Sequence, residues 1–394
     1  MIKTGFGFIA SVFLILAVYL WFFGKYGDKK IFKYIPSVII LYVGIIGAAT
    51  LGLWDYSPDA SVLSTKDTIM NTGVPMLIYL ACVSNDARKI AKLGPKLLGV
   101  YVMTAVSIVL GIVIAAVIFV GKLNIPEVGG TFGALTGSFI GGPENLYAVA
   151  NTVEMSDGAL ANTLMLVYVV FTPWMLFLIA GLPLFAKKFN KWTKVDLTVI
   201  EESANRIGEG ETTQRHATAT DVFILIAVGA TIEALGFWIG SFVEALIPSM
   251  TSTIVMYIIV TIASLLLGCY SKLGQNPAVS FMMPVFAYVM LFMGAIGVDF
   301  GMFKDAGYFL ATSVTAILIH VILVVIYAKI AKADLYSLGC ASIACIGGNS
   351  SAAVVATAYG DKAYITIATV MASIGPIIGT FIGLGVCHLL NIII

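Results

Sequence analysis

Charge is scarce in this chain: aspartate, glutamate, lysine and arginine make up 11% of its 394 residues, against about 25% in an ordinary soluble domain. Histidine is scarcer still, with three residues, and no H-E-x-x-H or clustered Cys/His set could hold a zinc ion. The five cysteines (Cys82, Cys269, Cys340, Cys345, Cys387) form no C-x-x-C and lie in or beside apolar runs, so they read as small packing residues. No G-x-x-x-x-G-K-[ST] occurs, which leaves no sign of a nucleotide-driven pump of the P-loop kind. No paired intramembrane aspartates or His-rich set suggests a catalytic centre, so no catalytic residue, resident metal or enzyme activity is expected. The net charge is +1 and the basic residues sit in short clusters, which gives no nucleic-acid signal.

What is abundant is apolar surface. Hydrophobic residues make up 60% of the chain and the mean hydropathy is +1.01, more than a soluble core absorbs but suited to a lipid bilayer. A spanning helix needs about 20 largely apolar residues. Runs 6–23, 35–53, 68–84, 97–120 and 159–185 qualify in the first half, and 222–241, 250–269, 279–298, 307–328 and 364–390 in the second. The first run has no small-x-small cleavage site before its basic turn and reads as a retained helix. Trp21, Trp54 and Trp192 flank spans and are expected to anchor at the interface. Segments 131–155 and 335–360 are apolar but broken by Gly-Gly and polar residues. The polar stretch 186–220 reads as a solvated linker.

Lysines decide whether the broken segments cross. Loops 24–34 and 85–96 are basic, so they are expected in the cytoplasm, with the N-terminus outside. If 131–155 and 335–360 dip in and return, 18 basic residues fall inside and 4 outside (Lys3, Lys66, Lys122, Lys304). The expected fold is therefore an all-α polytopic membrane protein of two inverted repeats. Each has about five transmembrane helices and one re-entrant Gly-Gly segment. The first repeat covers 1–185, a cytoplasmic linker 186–220, and the second repeat 221–394, with the C-terminus outside. Three anchors support the duplication. Ile35-Pro36-Ser37 returns as Ile247-Pro248-Ser249, 212 positions on; Asp86 with Gly94 returns as Asp299 with Gly307, 213 on; and Ile140-Gly141-Gly142 with Ala150 returns as Ile346-Gly347-Gly348 with Ala356, 206 on.

The stretches Thr136-Gly137-Ser138-Phe139-Ile140-Gly141-Gly142 with Asn145, and Cys345-Ile346-Gly347-Gly348-Asn349-Ser350-Ser351-Ala352-Ala353, resemble the paired Gly-Gly motifs of the family called domain of unknown function 819. That family comprises bacterial membrane proteins with plastid relatives, and the resemblance covers nearly the whole chain. Pro143-Glu144 stand here where the family pattern usually has small residues. More distantly, the pattern is similar to the cation-antiporter and anion-transporter superfamily. That kinship implies a transport domain sliding against a scaffold, elevator fashion, coupled to Na⁺ or H⁺, a homodimer, and a place in a bacterial-type inner membrane.

Non-helical backbone at membrane depth is tolerated where protein or a water-filled cavity satisfies it. About ten residues precede Gly141-Gly142 in the broken segment, or ~15 Å at 1.5 Å per residue, which places the tip near the midplane. Pro143 suits the first position of the returning helix. In the second copy Asn349, Ser350 and Ser351 sit where an N-cap belongs. Two helix N-termini would then meet head to head, a place suited to an anion. The expected binding residues are Thr136, Gly141, Gly142, Glu144, Asn145, Gly347, Gly348, Asn349, Ser350 and Ser351. Glu233 and His320, near the middle of spans, are candidates for an ion-coupling path. Asp86 and Asp299, at span ends, are expected to cap helices or face water. Neutral donors at the second tip favour an anion, whereas Glu144 at the first favours Na⁺, a proton or an ammonium group. The simplest matching solute is a zwitterion, carried by a secondary transporter whose partners are the bilayer, the solute and a coupling ion. Tightly packed turns at both tips are the structural alternative. A membrane-embedded enzyme, a channel and a sensor are the functional ones.

Overall fold

A computed structural model describes residues 1–27, 37–122, 127–208, 215–248, 250–296 and 306–394. The repeat anchors Ile35, Pro36, Ser249 and Asp299 lie outside them. Among the described residues the regular structure is helical, beyond one isolated bridge between Ile2 and Trp54. The first half comprises α1 (Gly5–Tyr26), α2 (Ser37–Thr50), α3 (Val62–Val83), the short α4 (Arg88–Lys92), α5 (Gly94–Phe119), α6 (Val128–Gly141), α7 (Pro143–Thr152), α8 (Asp157–Leu176) and α9 (Leu182–Thr193). After α10 (Thr198–Ile207) come α11 (Ala219–Leu246), α12 (Ser252–Tyr270), α13 (Val279–Ala295), α14 (Ala306–Ala331), α15 (Leu335–Ala358), α16 (Lys362–Ala372) and α17 (Gly375–Ile393). Among the described residues six helices are long and apolar enough to cross a membrane. The chain is a multi-pass, all-α membrane protein.

Three expectations change. The run 364–390 is not one helix but α16 and α17, because Pro376 has no N–H to offer the Ala372 carbonyl, and the chain tightens into turns at Ser373 and Ile374. The run 159–185 is interrupted by a π-helical turn over Phe177–Gly181, where Pro183 denies a donor to the Ile179 carbonyl. It then continues as α9 to Thr193. The stretch 186–220 is not solvated throughout. Its helix α10 buries Ile200, Ser203 and Ile207 against α4 and α16, and Ser203 Oγ donates to the Leu93 carbonyl at 3.1 Å.

Each Gly-Gly segment is a helical hairpin. In the first, α7 folds back on α6: a Cβ on Gly137 would lie 3.2 Å from Val149 Cγ2, and one on Gly130 3.3 Å from Met155 Cγ. The hairpin's base is closed by Glu127, whose carboxylate accepts the Ser156 amide at 3.0 Å. In the second, α15 reverses at Gly348, and the Tyr336 and Tyr359 rings from its two arms stack with centroids 4.2 Å apart. Asp334 closes that base, accepting the Ser337 amide at 2.9 Å and the Tyr364 hydroxyl at 3.0 Å. Helices α5 and α14 run antiparallel, with Gly99 against Tyr327 and Gly111 against Ala316. The first hairpin therefore enters from the end of the bundle where α5 finishes. The second enters from the opposite, basic end, beside α10 and Asn190.

The hairpins pack across the halves in matching register. Gly141 lies against Gly375, and Gly133 against Gly383 and Cys387; Gly347 lies against Phe171, and Gly339 against Leu182. Moving Gly133 and Leu182 on by about 205 positions reaches Gly339 and Cys387, so each first arm leans on the last span of the other half at the same height. Small residues permit this approach, since a Cβ on Gly133 would sit 2.6 Å from Cys387 Cβ. The first arms are also longer than expected. The 14 residues of α6 run about 21 Å and the arm from Leu335 to Gly347 about 20 Å. Together they exceed a ~30 Å hydrocarbon core, and α6 and α15 touch, so the tips overlap side by side rather than meeting head to head.

Candidate functional site

The reversal at each tip needs glycine. Gly142 has φ 98° and ψ 178°, and Gly348 φ 66° and ψ −166°, both in regions closed to residues with a Cβ. The first tip is the more enclosed: Gly141, Gly142 and Asn145 are buried and Pro143 half-buried, and Gly141 is in contact with Gly375, beside the break between α16 and α17. The second tip is half-buried and open: among the described residues, no atom lies within 4 Å of where a Gly348 Cβ would project. Gly347 and Ser351 are half-buried beside it. The side chains of Asn349 and Ser350 lie outside the described residues.

Asn145 holds the first tip in place. Its Oδ1 accepts both the amide (2.9 Å) and the hydroxyl (2.7 Å) of Thr380 in α17. Its Nδ2 donates to the Gly141 carbonyl at 2.8 Å. Thr136 turns its hydroxyl to the Phe132 carbonyl of its own helix, at 2.7 Å, and does not face the tip. Glu144 is 7% exposed, and its carboxylate folds back over Gly142 at the N-terminus of α7. Among the described residues no side chain donates to it. Nearby, Cys82 of α3 points its thiol at the Pro376 carbonyl, 3.8 Å away.

His320 sits apart from the tips, at the crossing of α14 with α5. Ser107 Oγ is 2.7 Å from Nδ1 and donates its proton to the Thr104 carbonyl, so it must accept from Nδ1–H. Ser342 Oγ accepts the Trp174 indole N–H at 3.0 Å and lies 3.0 Å from Nε2, to which it donates. Satisfying every partner thus selects the neutral Nδ1–H ring, in a chain running Trp174, Ser342, His320, Ser107, Thr104. The chain ties α8, the second hairpin, α14 and α5 together. Trp174→Phe and Ser342→Ala are each expected to cost about 1 kcal/mol of stability. The double mutant should cost clearly less than their sum, and strict additivity in thermal unfolding would show that the chain is not connected.

Glu233 lies elsewhere, half-buried on α11, on a cavity of 1210 Å³ bounded by α3, α7, α8 and α11–α13. At the same cavity Lys66 pairs with Asp157, and Asn151 Nδ2 donates to Tyr257 Oη at 3.2 Å. Sequence reading did not find this cavity, and only Glu233, as a charge in an apolar run, hinted at it. Asp86 is outside the spans and bound by Arg88 through two side-chain hydrogen bonds of 2.8 and 3.0 Å, which hold its carboxyl below the usual range. Trp54, expected at an interface, is instead 1% exposed and donates to Ser11 Oγ at 2.9 Å.

The family model described as "protein of unknown function (DUF819)" matches residues 10–393. The chain belongs to that family. It is also 22% identical over 381 residues to the uncharacterized membrane protein YjcL of Bacillus subtilis (strain 168), covering 92% of this chain and 93% of YjcL.

Proposed function

We propose that the chain is a secondary active transporter of a small zwitterionic organic solute. It is coupled to Na⁺ or H⁺ and works by an elevator-type movement in a bacterial inner membrane. The observation that carries this reading is the pair of glycine-tipped hairpins entering from opposite ends, each leaning on the last span of the other half in matching register. Half-crossing segments of this kind, in inverted repeats, are the build of many secondary transporters, whose solutes bind between the repeats. An enclosed first tip and an open second tip suit one state of an alternating cycle. Glu144, buried over its own helix start, suits the cationic end of a solute or the coupling ion, and the second tip, where a helix restarts after Gly348, suits an anionic end. His320, with both ring nitrogens engaged, has a positioning role here rather than a place on an open ion path.

Uptake into proteoliposomes tests the reading. Radiolabelled amino acids and short peptides are supplied under an imposed Na⁺ or pH gradient. At least one should accumulate above its equilibrium level, and the accumulation should collapse with the gradient. Glu144→Gln should weaken it at least ten-fold. Uptake that only equilibrates under every gradient would make the chain a channel instead.

A further inference from the structure

One lysine and four carboxylates line the cavity beside the first hairpin: Lys66 is buried, Asp67 and Glu154 are exposed to water, and Asp157 and Glu233 are half-buried. Near its mouth lies Lys66, whose side chain is 5% exposed and whose partner Asp157, at the first turn of α8, is 38% exposed. Deeper lies Glu233, near the midpoint of the 28-residue α11. Among the described residues, no ion pair or hydrogen bond engages its carboxylate. The two heights can be compared because Gly229 of α11 lies against Met76 and Tyr79 of α3, and the helices run antiparallel. Glu233, one turn beyond Gly229, is then level with about residue 73 of α3. At 1.5 Å per residue, Lys66 is about 10 Å further toward the mouth. The rest of the lining is largely apolar, with Met70, Met256 and Phe286 among it, and Asn71, Thr72, Asn151 and Thr253 are its neutral polar groups.

We propose that this cavity receives an extended zwitterion, with Glu233 taking its ammonium group and Lys66 its carboxylate about 10 Å away. The inference rests on the reading above that the solute is a zwitterion; it makes the cavity a first docking site, apart from the two hairpin tips, and fixes the distance between the solute's charges. An α-amino acid holds its charges far closer than that. A chain of three residues, at 3.3–3.6 Å each, spans the gap, and a cavity of 1210 Å³ has room for it. Lys66 is buried and needs a counter-charge, so the incoming carboxylate replaces Asp157, which turns out to water. Asp157 follows directly on Ser156, whose amide closes the base of the hairpin on Glu127. Loading the cavity therefore loosens the hairpin's base on the side from which the solute arrives.

The test uses the purified full chain and thermal shifts, which report ligands that bind the native state. The probes are trialanine, alanine, N-acetyl-trialanine and trialanine amide. Trialanine should bind at least ten-fold tighter than alanine, and blocking either end should cost at least ten-fold. In Glu233→Gln, trialanine and its N-acetyl form should bind within about two-fold of each other. Asp157→Asn removes the competitor for Lys66 and should tighten trialanine several-fold. It guards the test should Glu233→Gln fail to fold. Equal binding of alanine and trialanine, indifference to end-blocking, no shift with any probe, or unaltered trialanine affinity in Asp157→Asn would each overturn the inference. Gradient-driven uptake of alanine without preference for trialanine would sink this inference and spare transport. End-specific binding without gradient-driven uptake would do the reverse.

Discussion

Replacing Asn145 with alanine is expected to cost about 3 kcal/mol and to abolish transport. The side chain is fully buried and accepts from both the amide and the hydroxyl of Thr380. Its loss orphans two donors in a water-free interior, at about 1–3 kcal/mol each, and frees the Gly141 carbonyl at the turn. The Thr380 hydroxyl can rotate to another acceptor, which keeps the expected loss in the lower half of the about 2–6 kcal/mol that two orphaned donors would cost. Thr380→Val removes only the hydroxyl and should cost about 1 kcal/mol. Thermal unfolding of the purified variants checks both values. Equal, small losses would mean that the first tip is held by packing and not by this asparagine.

Alanine at the two tips should separate backbone strain from crowding. At Gly348 no atom of the described residues lies within 4 Å of the missing Cβ, so Gly348→Ala should cost only its backbone strain, about 1–3 kcal/mol. At Gly142 the same strain is joined by a contact, since a Cβ would lie 2.9 Å from Glu144 Oε2. Gly142→Ala should therefore lose more stability than Gly348→Ala. Gly142→Ala combined with Glu144→Gln keeps the crowding, whereas Glu144→Ala removes it and should recover the difference. If the two glycine variants are equally stable, the carboxylate does not sit over the turn.

Much of this architecture was legible in the sequence because its causes are local. Long apolar runs give helices wherever lipid is the solvent, and a Gly-Gly pair followed by polar residues marks a backbone that must turn. Pro376 was also legible, but the apolar run around it hid the break. What escaped were the long-range contacts. Nothing near Asn145 in sequence says that Thr380, 235 positions away, completes its hydrogen bonds. The length of the first hairpin's first arm was underestimated because the broken segment was begun at residue 131, whereas α6 starts at Val128, with Gly129 and Gly133 packed closely against α17. Trp54 reads as an interfacial residue from its neighbours, yet the isolated bridge at Ile2 folds the chain over it. Glu233 and His320 looked alike as lone polar residues in apolar runs. One faces a cavity and the other is enclosed by serines and a tryptophan, a difference set by other helices.

Two-sided labelling tests the opposed hairpins most directly. Single cysteines are placed at Ser156, by the base of the first hairpin, and at Lys191, near the base of the second, in a chain whose five buried native cysteines are replaced by alanine or serine. A membrane-impermeant maleimide applied to intact cells should label Ser156→Cys, while Lys191→Cys should react only after the membrane is opened. Labelling of both positions from the same side would place the two hairpin bases on one face and contradict the account.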